Sequence, residues 1–222
     1  MSSKVLVVPG YRGSGDGHWQ TWLEGELYDS QRVRGIDWDA PVLFDWAAKI
    51  VREIESSAKP VVIVAHSFGC LASALAIERS PRNVAGVLLV APANPEKFGI
   101  YGAVSQHGLR NPGISSHLPA NTLRVPGLLI GSQNDPWLKI QHGYAWARRW
   151  GLGFHDAGAV GHINVDSGHG PWPLAKLLTQ SLCHLAASRR TGTVTKRAAY
   201  RRRQHLAPVA NTKPAVQRLL YA

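Results

Sequence analysis

Ser67 stands in the stretch Ala65-His66-Ser67-Phe68-Gly69, after an apolar run at 61–65 and before a segment rich in small residues (Cys70, Ala72, Ser73, Ala74, Ala76). A serine lifted on a tight turn between a strand and a helix can act as a nucleophile, and that turn demands small residues on either side because the helix start and the adjacent strands crowd it. The pattern is Gly-x-Ser-x-Gly with Ala65 in place of the first glycine. The competing reading, a serine that merely caps the next helix, is weaker in a strand–turn–helix setting. Cys70 reads as buried packing rather than as a second nucleophile.

A serine hydroxyl needs a base and an orienting acid. Where they accompany such a turn they follow in the order acid, then histidine. Five acids follow Ser67: Glu78, Glu96, Asp135, Asp156 and Asp166. Glu78 falls about three turns along the following helix. Asp135 ends the loop Gly131-Ser132-Gln133-Asn134-Asp135-Pro136, after an apolar run at 128–130, where an orienting acid belongs; its other reading is a cap for a helix opening at Pro136. The base is expected after the next strand, at 152–157. His162, in Gly158-Ala159-Val160-Gly161-His162-Ile163-Asn164, fits best; His169 is the runner-up, Asp156 the fallback acid, and His155 falls within the strand itself. An oxyanion would need two backbone donors, expected from Phe68 and from Tyr11 in the glycine-bearing loop 9–15. That loop is out of register with Gly-x-Gly-x-x-Gly and lacks an acidic ribose partner, which argues against a dinucleotide site. His18 and Trp137 are candidate pocket residues; most of the eight tryptophans are expected to pack helices on the sheet. No metal and no cofactor are expected, since the histidines lack a spacing such as His-Glu-x-x-His.

The elements that must position these groups are legible as runs. Residues 5–8, 61–65, 87–91 and 128–130 are apolar without alternation, as strands buried on both faces are, and a weaker run near 31–36 reads as an edge strand. Between them, 41–57 carries the stripe Leu43, Trp46, Ala47, Ile50, Val51 and Ile54 at helical spacing. Further helices are expected at 18–29, 69–80, 137–150 and 172–187, the last with Leu174, Leu177, Leu178 and Leu185 facing the core. This alternation predicts an α/β fold of three layers with a mostly parallel central sheet, whose site lies at the carboxyl ends of the strands. Residues 92–121, rich in Pro, Gly, Ser and Asn, read as a lid or substrate loop.

Assembled, these motifs resemble a known family. The chain is similar, over roughly 4–186, to the small serine hydrolases of the retinoblastoma-binding-protein-nine and YdeN type, within the α/β-hydrolase superfamily. The resemblance rests on Val8-Pro9-Gly10 followed by Gly17-His18-Trp19, on the Ser67 turn, on Asn134-Asp135-Pro136, and on Gly161-His162-Ile163-Asn164 continuing to Ser167-Gly168-His169-Gly170 and Trp172-Pro173. It implies an esterase-like serine hydrolase acting through an acyl-enzyme on a small ester or thioester, on a compact α/β-hydrolase-like fold with a reduced cap. Ala65 departs from the family's glycine, as does the chain beyond about 187. The alternative is a catalytically idle binding protein on the same scaffold, its basic tail contacting polyanions.

Composition sets the outer bounds. The 222 residues are 45% hydrophobic and 18% charged, ordinary for a globular protein. Two cysteines exclude a disulfide framework. The net charge of +11 is concentrated at one end: residues 187–222 hold nine Lys or Arg and no acid, leaving sixteen basic and fourteen acidic residues in the rest. The expected organisation is a hydrolase domain at 1–187 and a basic, flexible extension at 188–222. That extension carries no signature of specific nucleic-acid recognition. No apolar run reaches the ~18 residues of a membrane span, and the opening apolar run is too short for a signal peptide, so a cytoplasmic location is expected.

Overall fold

The computed structural model describes residues 3–103 and 112–188. The tail from 189 onward, and the central part of the segment 92–121, lie outside the described residues. The described residues form six parallel strands in one sheet: β1 (Lys4–Val8), β2 (Ser30–Arg32), β3 (Val61–His66), β4 (Val84–Val90), β7 (Gly127–Gly131) and β8 (Gly153–Asp156), in the order β2-β1-β3-β4-β7-β8. A small antiparallel pair, β5 (Phe98–Gly99) with β6 (Gly102–Ala103), stands apart from it. Every pair in the main sheet is parallel, so each connection crosses back over a face, and helices cover both faces.

The unbroken apolar runs have a direct cause. Leu6, Val8, Ile63 and Ala65 project into one core, beneath α2 (Leu43–Ser56), α3 (Phe68–Arg79) and α4 (Ile140–Trp150). Their neighbours Val5, Val7, Val62 and Val64 project into the other, beneath α1 (Trp19–Glu26) and the final helix, 173–188. With both faces covered, alternation has nothing polar to display. The run near 31–36 is indeed an edge strand, shorter than expected. In α2 the predicted stripe is buried as read, only Val51 being partly exposed, and Lys49 pairs with Asp45 at 2.8 Å on the outer side.

Two expectations need correction. The helix after β7 begins at Ile140, not at Pro136 or Trp137, and Lys139 precedes it; Asp135 and Trp137 lie in the loop before it. The final helix turns a different face inward. Ala175, Thr179, Leu182 and Ala186 are buried, with Leu178 packed beside them, whereas Leu174, Leu177 and Leu185 face outward, Leu177 at 60% exposure. A count of leucines selected the wrong side because the inner face is built of small residues that let the helix approach the sheet: Leu182 rests against Gly86 of β4, where a Cβ would already lie 3.4 Å from its side chain. The described ends of 92–121 carry the short β5–β6 pair and two single 3₁₀ turns, and Phe98 and Ile114 are buried in the core and tie the segment down. No helix among the described residues is long and apolar enough to cross a membrane.

Leu182→Ala is therefore expected to cost about 2–4 kcal/mol, and Leu177→Ala to stay within about 0.5 kcal/mol of the parent. Urea unfolding of the two variants measures this, and equal losses would show that the inward face is misassigned.

Candidate active site

Ser67 sits at the junction of β3 and α3 with φ +53° and ψ −124°, a conformation costly for a residue with a Cβ. Two glycines wedge it there. A Cβ on Gly69 would fall 2.3 Å from the Pro9 carbonyl oxygen, and one on Gly10 would fall 2.6 Å from the Ser67 Cβ. The loop after β1 and the start of α3 thus touch backbone to backbone, and the Ser67 N–H donates to the Val90 carbonyl at 3.1 Å. Ala65, where a glycine is usual, is accommodated fully buried in the α2–α3 core.

The ends of β7 and β8 bring the partners. His162 Nε2 lies 2.9 Å from Ser67 Oγ, and His162 Nδ1 lies 2.9 and 3.0 Å from the two Asp135 oxygens. An ionised carboxylate only accepts, so Nδ1 carries the hydrogen and Nε2 is left to accept from Oγ. The Asp135 side chain is 2% exposed, and its Oδ1 also accepts from the Trp137 N–H at 2.8 Å. The two loops are sewn together: Asn134 Oδ1 accepts from the Gly161 N–H at 2.7 Å and Ser132 Oγ from the Val160 N–H at 3.1 Å. The sequence assigned no role to Ser132, and Asn134 entered only as part of the Asn134-Asp135-Pro136 motif.

The carbonyls that follow the histidine are held as firmly. His66 Nε2 lies 2.9 Å from the His162 carbonyl, which makes His66 the donor, and Trp19 Nε1 donates to the Ile163 carbonyl at 2.9 Å. Ile163 itself has φ +49°. Gln20 is buried and donates to the carbonyls of Val8 and Val64 at 3.2 Å each, tying α1 to the strand ends where they part around the site. Sequence reasoning missed the roles of His66, Trp19 and Gln20; polar residues on an otherwise apolar helix start and strand end were the available signal.

The other sequence candidates fall as follows. Phe68 is the first residue of α3 and its N–H precedes the intrahelical ladder. In the loop after β1 the N–H groups of Arg12 and Gly13 donate to Trp38 and Gly10, and among the described residues the Tyr11 N–H meets no protein acceptor. Tyr11, His18, Phe98, Trp137 and Val165 line, with Ser67 and His162, a cleft of about 380 Å³. His18 is the buried cap of α1. His169 is apart from Ser67, its Nδ1 donating to the Ser167 carbonyl at 3.1 Å and its ring edge-on to Trp172. Asp156 accepts from Gln133 and Gly158, and His155 lies exposed in β8. Cys70 is buried and its Sγ donates to the Val90 carbonyl; burial raises its pKa, which suits packing rather than nucleophilic attack. Among the described residues no three His, Cys, Asp or Glu side chains gather as a metal site.

A parallel sheet with a strained serine after a central strand, and a histidine–carboxylate pair from the ends of β7 and β8, defines an α/β-hydrolase. The serine hydrolase family matches residues 5–180, and the chain belongs to it. Among solved structures it is similar to a YdeN-like protein from Pectobacterium atrosepticum, with 34% identity, a TM-score of 0.69, and coverage of 82% of this chain and 93% of that one. The ydeN gene product of B. subtilis shares 18% identity with a TM-score of 0.61, over 82% and 98% of the two chains. The carboxylesterase CesB of Bacillus subtilis shares the fold at 13% identity and a TM-score of 0.55, over 82% and 83%. No curated protein matches the sequence.

The histidine shell has a consequence for stability. His18 is lowered from 6.5 to about 4, chiefly by burial and then by Arg32 and His162, and His66 is lowered well below its usual value for the same first reason. The folded chain keeps both rings neutral while the unfolded chain protonates near pH 6.5, so stability present at neutral pH is lost as pH falls through 6.5 towards 4. For His18 alone the loss between pH 7 and 5 is on the order of 2 kcal/mol, and His66 adds to it. Unfolding free energies at the two pH values measure this, and equal values would contradict it.

Proposed function

We propose that the protein is a carboxylesterase-type serine hydrolase that cleaves small esters or thioesters through an acyl-enzyme. The observation that carries this reading is the unbroken hydrogen-bonded chain from Ser67 Oγ through His162 to Asp135, opening on a cleft walled by aromatic rings. Ser67 Oγ attacks the acyl carbon as its proton passes to His162 Nε2. Asp135 holds the imidazolium that forms and fixes its tautomer. The N–H groups of Tyr11 and Phe68 face the carbonyl oxygen as it becomes an oxyanion. Collapse breaks the bond to the alcohol or thiol, which leaves with the proton from His162. Water then gives a proton to His162, attacks the acyl carbon and releases the acid with Ser67 restored. Trp137 lies within ring contact of His162, at 5.8 Å between centroids, and Phe98 is 6.4 Å beyond it; together with Tyr11 they offer an apolar wall for the acyl or alcohol group.

Names among the structural neighbours, a carboxylesterase and a type II thioesterase, agree with acyl transfer to water but rest on likeness of fold. The intact hydrogen-bonded chain favours an active enzyme over an idle scaffold. In this reading residues 1–187 are the hydrolase domain, since every proposed group precedes residue 163 and the inward face of the final helix ends at Ala186. The basic segment 188–222 is a separate extension with no specific nucleic-acid partner. The free thiols of Cys70 and Cys183 accord with a cytoplasmic location.

Ser67→Ala and His162→Ala are each expected to lower kcat on an activated ester by up to about 10⁶-fold, as when members of such a triad are removed. His169→Ala is expected to be mild. Retention of about a tenth of the activity by Ser67→Ala, far outside that range, would remove it as nucleophile, and a severe loss in His169→Ala with a mild one in His162→Ala would move the base.

A further inference from the structure

His18 is bound at one ring nitrogen and unpartnered at the other. Its Nδ1 accepts from the Gln20 N–H at 3.1 Å, closing the first turn of α1. The lone pair is therefore at Nδ1, and in the neutral ring the hydrogen is at Nε2. The residue is 4% exposed, and Nε2 is buried without a hydrogen-bond partner. A buried N–H left without an acceptor is destabilising, and in a native fold it requires a reason.

The position supplies one. His18 lines the same cleft as Ser67 and His162, and its ring lies 5.0 Å from that of His66. The only other buried side-chain polar atom without a partner among the described residues is Ser73 Oγ, within α3 and not on the cleft wall. The two backbone donors assigned to the oxyanion are separate groups, so the His18 N–H is not committed to the oxyanion. With its pKa lowered to about 4 it remains a neutral donor at physiological pH and does not exchange protons with the reaction.

Resting on the ester-hydrolase reading above, we infer that the Nε2–H of His18 recognises the substrate: it donates to an oxygen carried by the ester beyond the scissile group, so that the preferred substrates are oxygen-bearing esters rather than plain hydrocarbon ones. An ether, hydroxyl or carbonyl oxygen satisfies it equally. A methylene at the same place leaves the N–H buried and unmatched.

The test compares matched esters that differ by oxygen in place of one methylene. In the acyl arm these are 4-nitrophenyl methoxyacetate and 4-nitrophenyl butanoate; in the alcohol arm, 2-methoxyethyl and butyl esters of one acid. kcat/KM is measured for the full chain and for two variants. His18→Asn keeps an acceptor for the Gln20 N–H, and His18→Phe keeps the ring volume. The oxygen-to-methylene ratio in each variant, divided by that of the parent, cancels both intrinsic reactivity and any general loss of activity. The expected result is a drop in this ratio on the order of tenfold in both variants, in the arm that carries the contacted oxygen, which also locates it on the acyl or alcohol side. Ratios unchanged within about twofold in both arms, with the parent hydrolysing the hydrocarbon esters, would overturn the role of His18 and leave the ester-hydrolase reading standing. A parent inert on all four esters would overturn both.

Discussion

The contact between the Pro9 carbonyl and Gly69 fixes the rest of the site. It brings the loop after β1 against the first turn of α3 with no room for a side chain, and it leaves Ser67 in a positive-φ conformation. Such a conformation costs on the order of 1–3 kcal/mol and persists only where its surroundings over-determine it. Here they do. Gly10 presses on the Ser67 Cβ, the Ser67 N–H is bound to β4, and ten consecutive residues of α3, Phe68 to Ile77, are buried against the sheet. The strain projects a hydroxyl above the strand ends, where the sheet leaves an opening.

The same logic governs the opposite wall. His162 reaches Ser67 from a loop with its own positive-φ residue, Ile163, and that loop is pinned by hydrogen bonds from three directions: it donates to Asp135 and Asn134 behind β7, and accepts from His66 beside the serine and from Trp19 on α1. Gly161 is required at its place, since its φ is +64° and a Cβ there would fall 2.6 Å from the Ser167 Cβ. Two separately strained turns, held by elements from both halves of the sheet, meet at 2.9 Å. In the proposed reaction this is the preorganisation that removes the need to assemble the base and nucleophile at each turnover. The neutral, desolvated histidines around them, His18 and His66, are the cost in acid stability.

Much of this was legible in the sequence because it rests on local patterns. Strand runs that do not alternate announce a sheet covered on both faces, and the Ala65–Gly69 stretch, Asn134-Asp135-Pro136 and Gly161-His162 mark three strand ends in order. Asp135 could be read as a helix cap or as the partner of His162, and only the three-dimensional arrangement separates the two: the helix starts at Ile140, and the carboxylate faces the imidazole. What was not legible depends on contacts distant in the chain. His66 and His162 are 96 residues apart, and Trp19 and Ile163 144 apart. The final helix was misread because leucine count stood in for packing; the inward face is set by closeness to Gly86, and small residues fit it better.

The central claim is that Ser67 is an activated nucleophile, and covalent labelling with a fluorophosphonate tests it most directly, since the probe reacts with a serine whose base and oxyanion donors are in place. Intact-mass and peptide mass spectrometry of the native full chain should show a single stoichiometric adduct on the peptide containing Ser67, absent when the protein is denatured before exposure. A native chain that stays unlabelled, or one that carries the adduct on another residue, would contradict the account.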